Sequence, residues 1–171
     1  MTGPAGAILI RTLRNTDAAA LLAFETANRA WFEQHIAPRE QAFYSPEGVA
    51  AHIAAYLAGH AEGTWHPFVL VDGNGRIVGR ANLKDIDTAA GTAEVGYQIA
   101  RDACGKGLAT RALGHLIEQA RTRWRLTRLL AHVYDDNVGS RKVLQRCGFL
   151  HERAAQADGR IDGHFVLTLP P

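Results

Sequence analysis

Cys104-Gly105-Lys106-Gly107-Leu108-Ala109 joins a stretch of alternating apolar residues to one with helical periodicity, the position where a chain that grips a phosphate needs glycine. Glycines let the backbone pass close to a ligand and take conformations that a Cβ forbids. The first turn of the helix that follows presents N–H groups with no acceptor inside the helix, and these favour an anion such as a pyrophosphate. Taken alone, two glycines before a helix also serve a plain tight turn.

A second segment narrows the choice. Asn137-Val138-Gly139-Ser140-Arg141-Lys142-Val143-Leu144-Gln145-Arg146-Cys147-Gly148-Phe149 follows the apolar run Leu129 to Tyr134, in the order strand, loop, capped helix, stop. The pair resembles the acetyl-CoA site of the GNAT superfamily of N-acetyltransferases: a Gly-x-Gly-x-Ala loop, then Asn-x-x-Ser-x-x-x-Leu-x-Arg-x-Gly-Phe. Within that superfamily the chain is most similar to the ribosomal-protein N-terminal alanine acetyltransferase branch. The likeness runs from Ile8-Leu9-Ile10-Arg11 through Ala93-Glu94-Val95-Gly96-Tyr97 to Asp158-Gly159-Arg160-Ile161-Asp162-Gly163-His164.

The resemblance implies acetyl-CoA as co-substrate, no metal, and a wedge between splayed parallel strands. Tyr97 and Ile99 match the strand whose backbone pairs with the pantetheine. Backbone N–H groups from Cys104 through Gly105, Lys106, Gly107, Leu108 and Ala109 to Thr110 match the pyrophosphate loop, and Asn137 matches the residue that bonds the pantetheine region.

Amine acetylation needs a neutral amine, a proton acceptor, a polarised thioester carbonyl and a proton for the departing thiolate, with no covalent enzyme intermediate. Glu94 is the candidate base, directly or through water, because it shares a strand face with Gly96, where the missing side chain leaves room for substrate. A solvent-facing strand carboxylate is the other reading of Glu94. Many family members carry a tyrosine seven residues after the asparagine as general acid, but Leu144 stands there. Ser140 is then the nearest motif residue able to donate, as is proposed for the ribosomal branch; it can equally be a helix-terminus hydrogen-bonding group. Cys104 replaces the glutamine or arginine usual at the first loop position and is read as a buried, inert thiol.

These residues need elements to position them. Ile8 to Leu13 alternates like a strand, Asp17 to Phe32 has helical spacing, and Ser45-Pro46 opens a second helix with a capping hydroxyl and a proline suited to the first helical position. Phe68 to Val71 and Ile77 to Leu83 flank Asp72-Gly73-Asn74-Gly75, a hairpin turn. Thr92 to Ala100 is the third strand of that meander. Leu108 to Trp124 is helical and Leu129 to Tyr134 returns as a strand, a crossover that makes two strands parallel. Phe149 to Arg153 and His164 to Leu169 complete a mixed, mostly antiparallel sheet. The expected fold class is α/β (α+β), the GNAT acyl-CoA N-acyltransferase fold with helices flanking the sheet.

The 171 residues, 47% hydrophobic and 21% charged, suit one domain spanning residues 1–171. A formal net charge of +2 does not demand nucleic acid. The two cysteines suggest no disulfide framework, which fits a reducing cytoplasm. Met1 to Ala7 lacks a basic start or apolar core, and the longest apolar run, Ala18 to Phe24, is far below a membrane span.

Rival readings fit less of the chain. A dinucleotide-binding unit accounts for Gly105 and Gly107 but puts Thr110 at the third-glycine position and leaves Asn137 to Phe149 unexplained. A phosphate-loop NTPase needs a serine or threonine after Lys106, where Gly107 stands. The histidines, among them His35, His52, His66, His132 and His164, have no compact ligand spacing in sequence, so no metal is expected. A CoA-binding regulatory module without turnover is the non-enzyme alternative, for which Leu144 and Cys104 are the arguments. The acceptor is an amine, a protein N-terminus or a small molecule such as an amino acid, polyamine or antibiotic; neither nucleic acid nor membrane is an expected partner, and an edge strand near the C-terminus suggests a homodimer.

Overall fold

The computed structural model describes residues 7–157 and 160–171; Asp158 and Gly159 of the closing motif lie outside them. The described strands are β1 (Leu9–Thr12), β2 (His66–Val71), β3 (Ile77–Asp87), β4 (Thr92–Ile99), β5 (Arg128–Tyr134), β6 (Leu150–Ala157) and β7 (Arg160–Thr168). They form one sheet in the order β1-β2-β3-β4-β5-β7-β6. The final strand is therefore an interior one: β7 pairs antiparallel with both β5 and β6, and β6 is the outer edge. The last hairpin is also longer than its apolar residues suggest, because register rather than hydrophobicity extends it.

Helices α1 (Ala18–Ala27), α2 (Arg29–Phe32) and α3 (Pro46–Glu62) precede β2, α4 (Leu108–Thr122) links β4 to β5, and α5 (Val138–Arg146) follows β5. The expected single helix over Asp17 to Phe32 is interrupted at Asn28. Its side-chain amide donates to the Phe24 carbonyl at 2.8 Å, and its Oδ1 accepts from the Arg101 N–H at 2.9 Å. The break thus ties the first helix to the turn that leaves β4.

The two sheet faces bury different helices. Arg80 on β3 bonds Glu25 of α1 and His52 of α3, so that face belongs to α1 and α3. On a strand, neighbouring side chains point to opposite faces. Ala81 and its cross-strand partner Phe68 accordingly face α4, where Phe68 meets the His115 ring. Leu113, Leu116, Ala112 and Ala120 make the fully buried stripe of α4, spaced as one helical face requires. Leu21, Phe24, Val49 and Ile53 do the same for α1 and α3.

Ser45 accepts from the Gly48 N–H at 3.0 Å and Pro46 begins α3, as expected. The meander turn is closed by Asp72, whose carboxylate accepts from the N–H groups of Asn74 and Arg76. β3 runs on past the expected end at Leu83 to Asp87, with its register to β4 shifting between Lys84 and Asp87.

Candidate active site

The parallel pairing of β4 with β5 covers only Thr92 with Arg128, Ala93 with Leu129 and Glu94 with Leu130. Beyond Glu94 the strands diverge, and a cleft of about 1010 Å³ opens between them. Val95, Gly96, Tyr97, Gln98 and Ile99 line one wall, and Ala131 to Tyr134 line the other. The backbone edge of β4 that β5 abandons is free to pair with an extended ligand, as the wedge reading requires.

The glycine loop closes one end of the cleft. Gly105 and Gly107 both have φ near +77°, and a Cβ added at either would meet nothing within 4 Å. Their need for glycine is therefore conformational, and open space lies over them. Arg111 donates to the Gly107 carbonyl at 3.0 Å, so the N–H groups of Leu108, Ala109 and Thr110 form an unpaired first turn. Cys104 departs from expectation. Its N–H donates to the Arg101 carbonyl at 3.3 Å, which withdraws it from the anion-facing set.

The Cys104 residue is exposed rather than buried, and its Sγ donates to the Ala100 carbonyl at 3.4 Å. Partial desolvation and the nearby Asp102 raise its pKa above the ordinary thiol value, which leaves it an unreactive thiol. Lys106 is exposed and stands outside the lining of the cleft, whereas Leu108, Ala109 and Thr110 belong to it.

At the start of α5, Asn137 Oδ1 accepts from the Ser140 N–H at 3.2 Å. That bond caps the helix and leaves the Asn137 amide N–H groups for a ligand, and both residues line the cleft. The Ser140 hydroxyl meets Tyr97 Oη at 2.8 Å. Burial pushes the Tyr97 pKa up to about 12, so the phenol stays protonated at physiological pH. Leu144 is fully buried beside them.

Glu94 and Gly96 relate differently from expectation. Lys84 on β3 crosses to Glu94, with Nζ 3.1 Å from Oε1. The space over Gly96 is taken by the same lysine: a Cβ there would lie 3.3 Å from Lys84 Cε and 3.4 Å from Nζ. Lys84 lines the cleft while Glu94 stands one residue behind, at the last paired position of β4. Of the ion pair, Lys84 is therefore the member that faces the cleft, with Glu94 held beside it.

On the α1 and α3 side, Arg80 reaches the cleft from a polar triad with buried Glu25 and half-buried His52. Arg80 Nη1 donates to Glu25 Oε1 at 2.7 Å, and Nη2 donates to His52 Nε2 at 2.8 Å. Burial and the Arg80 charge hold the His52 pKa down at about 3, which keeps Nε2 an acceptor. Arg80, His35 and Arg39 all line the cleft. His35 Nδ1, Arg39 Nε and Asn82 Oδ1 are buried there without protein partners. Sequence spacing gives no hint of this set, since its members meet only through tertiary packing.

Comparison with known proteins agrees with this architecture. The acetyltransferase (GNAT) domain family matches residues 7–150. The probable N-acetyltransferase YjcK of Bacillus subtilis is 31% identical over 168 residues, covering 95% of this chain and 93% of YjcK. Among solved structures, the ribosomal-protein-S5-alanine acetyltransferase of Vibrio fischeri superposes with a TM-score of 0.89 at 24% identity, over 94% of this chain and 92% of that one. Mycobacterium smegmatis RimJ, solved in complex with CoA-disulfide, superposes with a TM-score of 0.86 at 27% identity, over 96% and 83% respectively. The divergence of β4 from β5, the glycine loop at its end and these likenesses together make the chain a GNAT-family N-acetyltransferase, similar to the ribosomal-protein N-acetyltransferases.

Proposed function

We propose that the protein transfers the acetyl group of acetyl-CoA to a primary amine by direct attack, and that the acceptor is the N-terminal amine of a protein. The observation that carries this reading is the separation of β4 from β5 after Glu94, which leaves a free strand edge leading to the Gly105–Thr110 loop. The pantetheine pairs with β4 at Tyr97 and Ile99, with the Asn137 amide opposite. The pyrophosphate takes N–H groups from Gly105 to Thr110. The cleft is at the upper end of the volumes typical of small-molecule sites, room for an extended acceptor segment beside the pantetheine.

The chain's residues divide the chemistry. Holding amine and thioester together accounts for the largest share of barrier lowering, about 7–11 kcal/mol where alignment is good. The Lys84 ammonium at the cleft wall disfavours a second cation nearby, so an entering ammonium gives up its proton more readily. Glu94 receives that proton through water. The neutral amine attacks the thioester carbon, the C–N bond forms, and the C–S bond breaks. Ser140, backed by the Tyr97 phenol, donates a hydrogen bond to the departing sulfur. A thiol ionises near pH 8.5, far below either hydroxyl, so the thiolate's proton comes in the end from the attacking nitrogen.

Release of free CoA thiol, measured with a panel of N-terminal peptides, amino acids and polyamines, tests the proposal. Turnover with peptides above the small amines is the expected result. Tight acetyl-CoA binding with no turnover on any amine would favour a CoA-binding regulatory module instead. A cytoplasmic setting and a homodimer through the outer edge of β6 complete the proposal; among the described residues no helix is long and apolar enough to cross a membrane.

A further inference from the structure

The histidines that look scattered in sequence are not scattered in space. His132 on β5 stands directly across from His164 on β7, and Asp162 lies two residues before His164 on the same strand. Residues two apart on a strand share a face, so both imidazoles and the carboxylate project from one side of the sheet. His132 Nδ1 is 3.4 Å and His164 Nε2 is 3.5 Å from Asp162 Oδ2. One donor atom from each of the three residues falls within 4.8 Å of the others.

We propose that His132, Asp162 and His164 form a binding site for a divalent transition-metal ion of the Zn²⁺ type. The spacing leaves room for an ion among the three groups, although His132 Nδ1 and Asp162 Oδ2 are also within long hydrogen-bond range of each other. Both contacts are longer than the roughly 2.7–3.2 Å of a good N–H···O bond. They match the separation of about 3.3 Å between neighbouring ligands of a tetrahedral ion with bonds of about 2.0 Å. Two imidazoles and one carboxylate also select the ion class, since nitrogen donors suit zinc, nickel and copper rather than the oxygen-seeking magnesium or calcium.

Three protein ligands leave a tetrahedral ion one open position. His132 and Asp162 line the cleft, past the point where β5 parts from β4, so the site is on the β5 wall of the acetyl-transfer cleft. His132 is 38% exposed and the other two side chains 19% or less, which gives an entry path without a buried ion. The competing imidazole cluster is already committed. His66 bonds Thr12 Oγ1 through Nε2 and the Trp124 indole through Nδ1, so it has no nitrogen to spare for a metal beside its stacked neighbour His60.

Titration of the tag-free, chelator-stripped protein with ZnCl₂ in a calorimeter tests this. One Zn²⁺ should bind per chain, and MgCl₂ should give no heat. The His132→Ala/His164→Ala double variant should lose the site, Asp162→Asn should bind about tenfold or more weakly, and His60→Ala should bind like the parent. Melting curves in chelator show whether each variant is folded, and Asp162→Asn, which is nearly isosteric, carries the test should the double variant fail to fold. Absence of zinc binding by the parent protein would overturn the proposal, as would undiminished binding by folded Asp162→Asn or by the folded double variant.

Discussion

Tyr97 Oη and Ser140 Oγ lie 2.8 Å apart across the cleft, joining β4 to the first turn of α5. The tyrosine therefore does more than lend its backbone to a strand edge. Its phenol can donate to the serine oxygen and so turn the serine's own proton toward the cleft. Burial keeps the phenol protonated, with a pKa of about 12, so the arrangement is unchanged across the whole range in which an amine acceptor titrates.

Ser140→Ala should lower kcat by about tenfold to a hundredfold, at or below the lower end of the roughly 10²–10³ lost when one donor to a developing negative charge is removed, while leaving the acetyl-CoA dissociation constant near that of the parent. Tyr97→Phe should produce a smaller loss of the same kind, because the serine keeps its proton but not its orientation. Steady-state kinetics with calorimetric acetyl-CoA binding separates the two effects. Full turnover by Ser140→Ala would return the hydroxyl to a structural role.

Gly107→Val should weaken CoA binding and spare the fold. A Cβ at this residue meets no protein atom within 4 Å, but the backbone has φ of +77°, a conformation that costs an L-residue roughly 1–2 kcal/mol and more for a branched one. That penalty is relieved by rotating the loop, which misaims the N–H groups of Leu108 to Thr110. An affinity loss of about tenfold or more is expected in calorimetry, with the melting temperature of the free protein lowered only slightly. Parental affinity in a folded variant would remove the loop from the site.

How much of this was legible beforehand follows from the range of each interaction. The glycine loop, the Asn137 cap and the Ser45-Pro46 start are local, and their residue types carry their own signal. So does the alternation of β4, which located the strand bearing Tyr97. Lys84 across from Glu94 depends on register between β3 and β4, and the vacancy expected over Gly96 is filled by a side chain from another strand. The break at Asn28 answers to Arg101, far along the chain. The triad of Glu25, His52 and Arg80 and the group of His132, Asp162 and His164 are products of packing alone.

Glu25→Gln should destabilise the fold much more than any surface charge change. Arg80 and Glu25 pair at 2.7 Å with side chains only 3% and 1% exposed. Removing one charge of such a buried pair leaves the other uncompensated, at a cost of about 3–5 kcal/mol. Urea denaturation should register a loss on that scale. A change below about 0.5 kcal/mol, the level of an ordinary surface substitution, would mean that water reaches the pair.

Stability should fall as pH is lowered from about 6.5 toward 3. His52 and His66 both have folded pKa values held down to about 3 from the ordinary 6.5, chiefly by burial. Between those values the unfolded chain takes up protons that the folded chain refuses, so acid favours unfolding, and the stabilisation is complete only above the unfolded pKa. Melting temperatures across that window should show the slope, and His52→Gln should flatten part of it while keeping an acceptor for Arg80. An unchanged slope in the variant would assign the acid sensitivity to other groups.

Finally, Glu94→Gln should cut kcat without weakening acetyl-CoA binding. The ion pair with Lys84 spans 3.1 Å and is partly exposed, so its loss costs the fold little, about 1 kcal/mol or less. Its chemical cost is larger: a general base contributes about 10² to 10⁴ in rate, and a loss toward the lower end suits proton transfer through water past Lys84. Higher pH supplies neutral amine from solution and should partly restore the variant. Lys84→Met separates the lysine's contribution, since it leaves the carboxylate in place while removing the cation that discourages an ammonium acceptor; its pH–rate profile should shift upward. Equal activity of Glu94→Gln and the parent at neutral pH would sink the assignment and leave proton acceptance to solvent.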